Sequence, residues 1–97
     1  MEGRVTKTIK VKVRFYAKLK DELGIDEISI PINERSLFAL LRKLNTILKD
    51  KLPEPIDSLI ENTLIAVNNE LVREDDLKDL TLNNGDIVDI MPLPSGG

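Results

Sequence analysis

The last residues of this 97-residue chain read Pro92-Leu93-Pro94-Ser95-Gly96-Gly97. Proline cannot donate a ladder hydrogen bond, so Pro92 and Pro94 are expected to end any sheet and leave a stiff, extended backbone. Glycine has no Cβ, so a Gly-Gly end can thread a narrow channel and adopt backbone angles closed to other residues. The expected result is an arm that carries the α-carboxylate of Gly97 into a partner's active site. A carboxylate is a poor electrophile, but adenylation by ATP gives it a good leaving group. A sulfur nucleophile would then yield a thiocarboxylate, and an amine would yield an isopeptide bond. Gly97 would carry the reactive group, Gly96 would give clearance, and Pro92, Leu93, Pro94 and Ser95 would position the arm.

That chemistry suits a sequence with no cysteine and no histidine. Their absence excludes a disulfide framework, a Cys or His zinc site, and Cys-His or Ser-His nucleophile pairs. No metal site is expected, and any catalytic side chains would have to come from elsewhere. Net charge is −3, whereas a general nucleic-acid binder would be basic overall. The charges are uneven. Basic residues crowd the front from Arg4 to Lys20, and acidic ones crowd the back from Glu70 to Asp89. This describes either solvated strand faces or a polarised docking surface. No apolar run approaches the roughly 18 residues of a membrane span, and Met1 to Lys10 lacks the apolar stretch of a signal peptide. The expectation is a cytoplasmic protein that binds neither membrane nor nucleic acid.

The elements that must hold the arm follow from periodicity. Ile9, Val11, Val13 and Phe15 alternate with Thr8, Lys10, Lys12, Arg14 and Tyr16, which predicts a half-buried strand over 8–16. Helix formers run from Ala17 to Leu23 and stop at Gly24, predicting one or two helical turns. Ile28, Ile30 and Ile32 predict a second strand, paired with the first like a hairpin and edge-placed because of Pro31. Ser36 is a helix N-cap candidate. Leu37, Leu40, Leu41, Leu44, Ile47 and Leu48 then recur at helical spacing, predicting a long amphipathic helix ending near Lys51. Pro53 and Pro55 mark a loop.

Leu64 to Val67 predicts a buried strand, Asn68-Asn69 a tight turn, and Leu71-Val72 the returning strand. Residues 73–80 read as a charged turn anchored by Leu77 and Leu80. Asn83-Asn84-Gly85-Asp86 is a further turn, and Ile87 to Met91 the last strand, with Val88 and Ile90 inward. One apolar helix stripe and one apolar sheet face make a two-layer α+β domain. The β-grasp, or ubiquitin-like, arrangement fits this order: a mixed sheet of about five strands packed on one long helix. The expected organisation is an N-terminal extension over 1–7, the β-grasp domain over 8–91, and the arm over 92–97. Tyr16, Ile87, Met91 and Leu93 are apolar candidates outside the core, suited to contacting a partner near the arm.

Three blocks in this order resemble the small subunit of molybdopterin synthase, a family of ubiquitin-like sulfur carriers. They are Val13-Arg14-Phe15-Tyr16-Ala17-Lys18-Leu19 running to Glu22-Leu23-Gly24, then Leu64-Ile65-Ala66-Val67-Asn68-Asn69-Glu70-Leu71-Val72, then Leu82 through Gly85-Asp86-Ile87-Val88 to the terminal Gly96-Gly97. The chain departs from the family at Tyr16, at Lys20, at Leu93 and in the segment before Thr8. The resemblance implies that an E1-like adenylating enzyme consumes ATP to activate Gly97 and that a sulfur donor makes the thiocarboxylate. The arm then enters the large subunit of molybdopterin synthase, where sulfur passes to a pyranopterin precursor during molybdenum or tungsten cofactor biosynthesis. It implies no bound cofactor and no enzymatic activity for the chain alone. Three other readings share the fold: a thiamine-pathway sulfur carrier, a ubiquitin-like modifier joined to lysines, and an interaction module that is never activated.

Overall fold

A computed structural model describes residues 8–52, 55, 61, 63–77 and 79–93. The alternating front segment forms strand β1 (Ile9–Phe15), with Ile9, Val11, Val13 and Phe15 all buried. Helix α1 (Ala17–Leu23) buries Leu19 and Leu23 and ends at Gly24, whose φ of 71° is the left-handed conformation that glycine takes without strain. Strand β2 (Glu27–Ile32) runs antiparallel to β1, Val11 opposite Ile30 and Arg14 opposite Glu27.

Helix α2 (Leu37–Leu48) follows, with the Ser36 hydroxyl accepting the Ala39 N–H at 3.0 Å. Leu37, Leu40, Leu41, Leu44 and Leu48 are buried. Ile47, grouped with that stripe on spacing, is instead 46% exposed. At about 100° per residue it lies roughly 20° beyond Leu40, just past the edge of the buried stripe.

Strands β3 (Thr63–Val67) and β4 (Glu70–Leu71) form a hairpin, and β5 (Ile87–Pro92) closes the sheet. Asn68 and Asn69 have φ of 52° and 74°, the paired positive values of a tight hairpin turn. A short 3-10 turn over Glu74–Asp76 links β4 to the rest. Strand order is β2-β1-β5-β3-β4, so β5 is central, parallel to β1 and antiparallel to β3. Pro31 sits on the edge strand β2, where its missing N–H leaves no interior ladder bond unmade. One face of the sheet packs with both helices into a single core that includes Val13, Ile30, Leu44, Ile65, Leu82 and Val88. This is the two-layer β-grasp arrangement, with the short helix α1 and the one long helix α2 both where the sequence placed them. Among the described residues, no helix is long and apolar enough to cross a membrane.

Candidate docking face and C-terminal arm

Strand β5 carries the candidate residues Ile87, Met91 and Pro92, and two turns fix where it starts. Gly85, at φ 88°, donates its N–H to the Lys10 carbonyl at 2.8 Å, and the Lys10 N–H returns a bond to Asn84 Oδ1 at 2.8 Å. Asp86 accepts the Asn83 N–H at 2.7 Å and the Asn68 side-chain amide at 3.0 Å. The side-chain oxygen of Asn68, Oδ1, in turn accepts the Ile87 N–H at 3.0 Å. The turns 68–69 and 83–86 are therefore tied to each other and to β1, which sets the register of β5 against both neighbours.

From Ile87 the strand alternates: Val88 and Ile90 enter the core, so Ile87, Asp89 and Met91 lie on the helix-free face. Beside them on that face are Leu64 and Ala66, the register partners of Met91 and Asp89 on β3. Leu71, partner of Ala66 on β4, is 65% exposed. On the other side lie Lys12 and Arg14 of β1, partners of Ile87 and Asp89. The open face thus has an apolar half over β3, β4 and β5, and an ionic half over β1 and β2. Within the ionic half Glu27 lies 3.5 Å from Lys12 Nζ and 3.7 Å from Arg14 Nε. These pairs are solvated and contribute little to stability.

Because β1 and β5 are parallel, the end of β1 and the end of β5 share one edge of the sheet. Tyr16, Met91, Pro92 and Leu93 therefore lie at the same end, with the start of β3 beside them. Ile87 is on the same face, but about 13 Å away along the strand at roughly 3.3 Å per residue. Pro92 is still in the strand, opposite Thr63, one residue further than the prolines suggested. Its missing N–H is tolerable at the last position of a strand. Tyr16 and Leu93 are exposed, while Ile87, Met91 and Pro92 are half-buried. Pro94, Ser95, Gly96 and Gly97 lie outside the described residues, as does the segment 1–7.

Tyr16 reaches the middle of this face through an unusual turn. Its own backbone is extended (φ −128°, ψ 155°), and Ala17 then takes φ 54° at the start of α1. A left-handed alanine costs about 1 kcal/mol or more. The Tyr16 hydroxyl donates to Asp89 Oδ1 at 2.8 Å. Asp89 is only 6% exposed and is the buried charge of the described residues. The Arg14 guanidinium is held above its ordinary pKa, first by the hydrogen-bonding Tyr16 oxygen and further by the charges of Asp89 and Glu27. Asp89 and Arg14 were not among the residues singled out from sequence. The signal that could have found Asp89 is its place between Val88 and Ile90, which puts a carboxylate between Ile87 and Met91 on the outer face.

Elsewhere the acidic back half gathers at one side. Glu70, Asp76, Asp79 and Asp86 line a cavity of about 670 Å³ beside the 68–69 turn. Among the described residues, no three or more His, Cys, Asp or Glu side chains come together so that they could hold a metal ion.

A helix-backed mixed sheet in the order β2-β1-β5-β3-β4, with its last strand central, is the ubiquitin-like β-grasp fold. The model of the ThiS family matches residues 13–97, and the chain belongs to that family. No curated protein matches the chain. Among solved structures, it is similar to a putative molybdopterin converting factor subunit 1 from Pyrococcus furiosus, with 25% identity, TM-score 0.66, and coverage of 89% of this chain and 99% of that one. It is also similar to a complex of subunits 1 and 2 of molybdopterin-converting factor from Helicobacter pylori, with 26% identity, TM-score 0.57, and coverage of 92% and 100%. The small archaeal modifier protein 1 from Methanosarcina acetivorans shares the fold at 20% identity, TM-score 0.72, and coverage of 94% and 99%.

Proposed function

We propose that this protein is a sulfur carrier for molybdenum or tungsten cofactor biosynthesis, working through Gly97. The observation that carries the reading is the family match, which runs through the core and on to the terminal Gly96-Gly97. The likeness to a molybdopterin converting factor subunit 1, alone and in complex with subunit 2, favours this client.

The chemistry follows from the end group. A carboxylate oxygen of Gly97 attacks the α-phosphate of ATP on an E1-like enzyme, and pyrophosphate leaves. A sulfur nucleophile attacks the acyl carbon of the adenylate, and AMP leaves. The resulting thiocarboxylate enters the large subunit of molybdopterin synthase and gives up its sulfur to the pyranopterin precursor. The chain supplies the reactive group and its delivery, while the catalytic side chains belong to the partners. Gly96 gives the clearance that threading needs. The central strand β5 ends at Pro92, so the chain leaves the sheet from a rigid element. Tyr16, Met91 and Leu93 at the arm's edge of the sheet, and Ile87 further along, give the partner an apolar surface.

The test is ATP–pyrophosphate exchange by the host's E1-like enzyme with the full chain and with a chain lacking Gly96 and Gly97. Exchange should occur with the first and not the second. Exchange at equal rates with both would refute the reading. Adding the large subunit and the pterin precursor to the thiocarboxylated chain then identifies the client, and isopeptide-linked products would instead mark a modifier.

A further inference from the structure

We infer that Asn84-Gly85 is a deamidation site that pairing with β1 holds shut, so that opening of this turn converts Asn84 to aspartate and isoaspartate. The chain has seven asparagines, and only Asn84 is followed by glycine. The following residue matters because its main-chain nitrogen is the nucleophile that attacks the asparagine Cγ. A side chain on that residue hinders the approach, and glycine has none.

The step balances with water as the only co-reactant. The Gly85 nitrogen gives up its proton and bonds to Cγ of Asn84, the Cγ–Nδ2 bond breaks, and the nitrogen leaves as ammonia. Water then opens the cyclic imide at one of its two carbonyl–nitrogen bonds. One opening gives aspartate; the other gives isoaspartate, whose main chain runs through the side-chain carbon. Nothing is oxidised or reduced.

The surroundings do not prevent this. Asn83, Asn84 and Gly85 are exposed, and a methyl group on Gly85 would meet no atom within 4 Å. The barrier lies in two hydrogen bonds to one residue. The Gly85 N–H, whose proton must leave, donates to the Lys10 carbonyl at 2.8 Å. Asn84 Oδ1 accepts the Lys10 N–H at 2.8 Å, which turns the amide toward β1 as well. For Cγ to swing over the Gly85 nitrogen, the turn must first let go of Lys10. It is fastened from the far side too. Asp86 accepts the Asn83 N–H, and the Asn68 side chain bonds both Asp86 and the Ile87 N–H.

The two products differ in consequence. Aspartate keeps an oxygen for the Lys10 N–H. Isoaspartate adds a carbon to the main chain between its Cα and Gly85, so the two bonds to Lys10 no longer share one spacing. Those bonds anchor the start of β5 against β1, so isoaspartate loosens the register of the central strand.

The experiment incubates the full chain at mildly alkaline pH, folded in buffer and unfolded in guanidinium chloride. Peptide mapping by mass spectrometry follows amide nitrogen replaced by oxygen at each asparagine, and an isoaspartate-specific methyltransferase assay counts that product. In guanidinium chloride Asn84 should react ahead of every other asparagine. In buffer it should react at least about 10-fold more slowly, since only the opened turn reacts. Asn68→Gly removes two of the fastening bonds without touching the reacting groups. It should speed the reaction in buffer by about 5- to 100-fold and leave the rate in guanidinium chloride unchanged. Circular dichroism checks that this variant folds, and the wild-type comparison decides the matter if it does not. Equal wild-type rates in buffer and guanidinium chloride would overturn the inference. So would a lack of preference for Asn84 in the unfolded chain, or an unchanged rate in folded Asn68→Gly.

Discussion

Removing the Tyr16 hydroxyl tests the geometry of the open face at its most constrained point. The bond is short, 2.8 Å from the phenol to Asp89 Oδ1, and its acceptor is buried while its donor is 37% exposed. Hydrogen bonds to charged groups contribute about 1.5–3 kcal/mol, and the partial exposure of Tyr16 places this one near the low end. Tyr16→Phe keeps the ring and leaves Oδ1 without its donor, so it should destabilise by about 1.5 kcal/mol. Asp89→Ala also removes a buried charge, so its own effect mixes a loss with a gain. The pair is therefore best read from a double-mutant cycle, which isolates the coupling. In urea, with a slope of about 1–3 kcal/mol/M for small domains, Tyr16→Phe should lower the midpoint by roughly 0.5–1.5 M. Far-UV circular dichroism of the four proteins gives the coupling, expected at about 1–1.5 kcal/mol. A coupling below about 0.5 kcal/mol, the range of independent sites, would refute the idea that this bond holds Tyr16 on Asp89.

Three further predictions concern the frame that holds β5. Asn69→Gly should stabilise the protein by about 0.5–1 kcal/mol, because Asn69 sits at φ 74° where glycine carries no Cβ strain, and thermal unfolding should show a higher Tm. The same change at Asn68 should destabilise it, since the Asn68 side chain bonds both Asp86 and Ile87. Leu44→Ala removes a side chain only 1% exposed beneath the sheet and should cost about 2–5 kcal/mol in urea unfolding.

Much of this frame was legible because single residues carried unambiguous physics. Alternation over Ile9–Phe15 fixed which side of β1 is buried, Ser36 marked the start of α2, and paired asparagines marked a turn that needs positive φ. The limits are just as physical. Ile47 sits at the margin of a helical stripe, where a few degrees decide exposure, and periodicity alone does not resolve that. Ala17 adopts φ 54° with no glycine to announce it, since tertiary contacts on both sides of the turn override local preference. Pro92 stays in β5 because a last strand residue needs no N–H on the ladder. Asp89 looked like one acid in an acidic half, and only the register of three strands shows that it is buried between Ala66 and Arg14.

The candidate site divides the same way. The terminal Gly96-Gly97 is plain in the sequence, and the chemistry proposed for it rests on that end group and on the family match. The proposed docking face was readable only in part, because Leu64, Ala66 and Leu71 join Met91 and Tyr16 through strand pairing that no local pattern encodes.

The central claim is that Gly97 becomes a thiocarboxylate. Its most direct test is the intact mass of the full chain after incubation with ATP, a sulfur source and the host's E1-like enzyme. The account predicts a mass gain equal to one oxygen replaced by sulfur, located at Gly97 and absent when Gly97 is deleted. An unchanged mass, with the enzyme shown to be competent on another substrate, would contradict it.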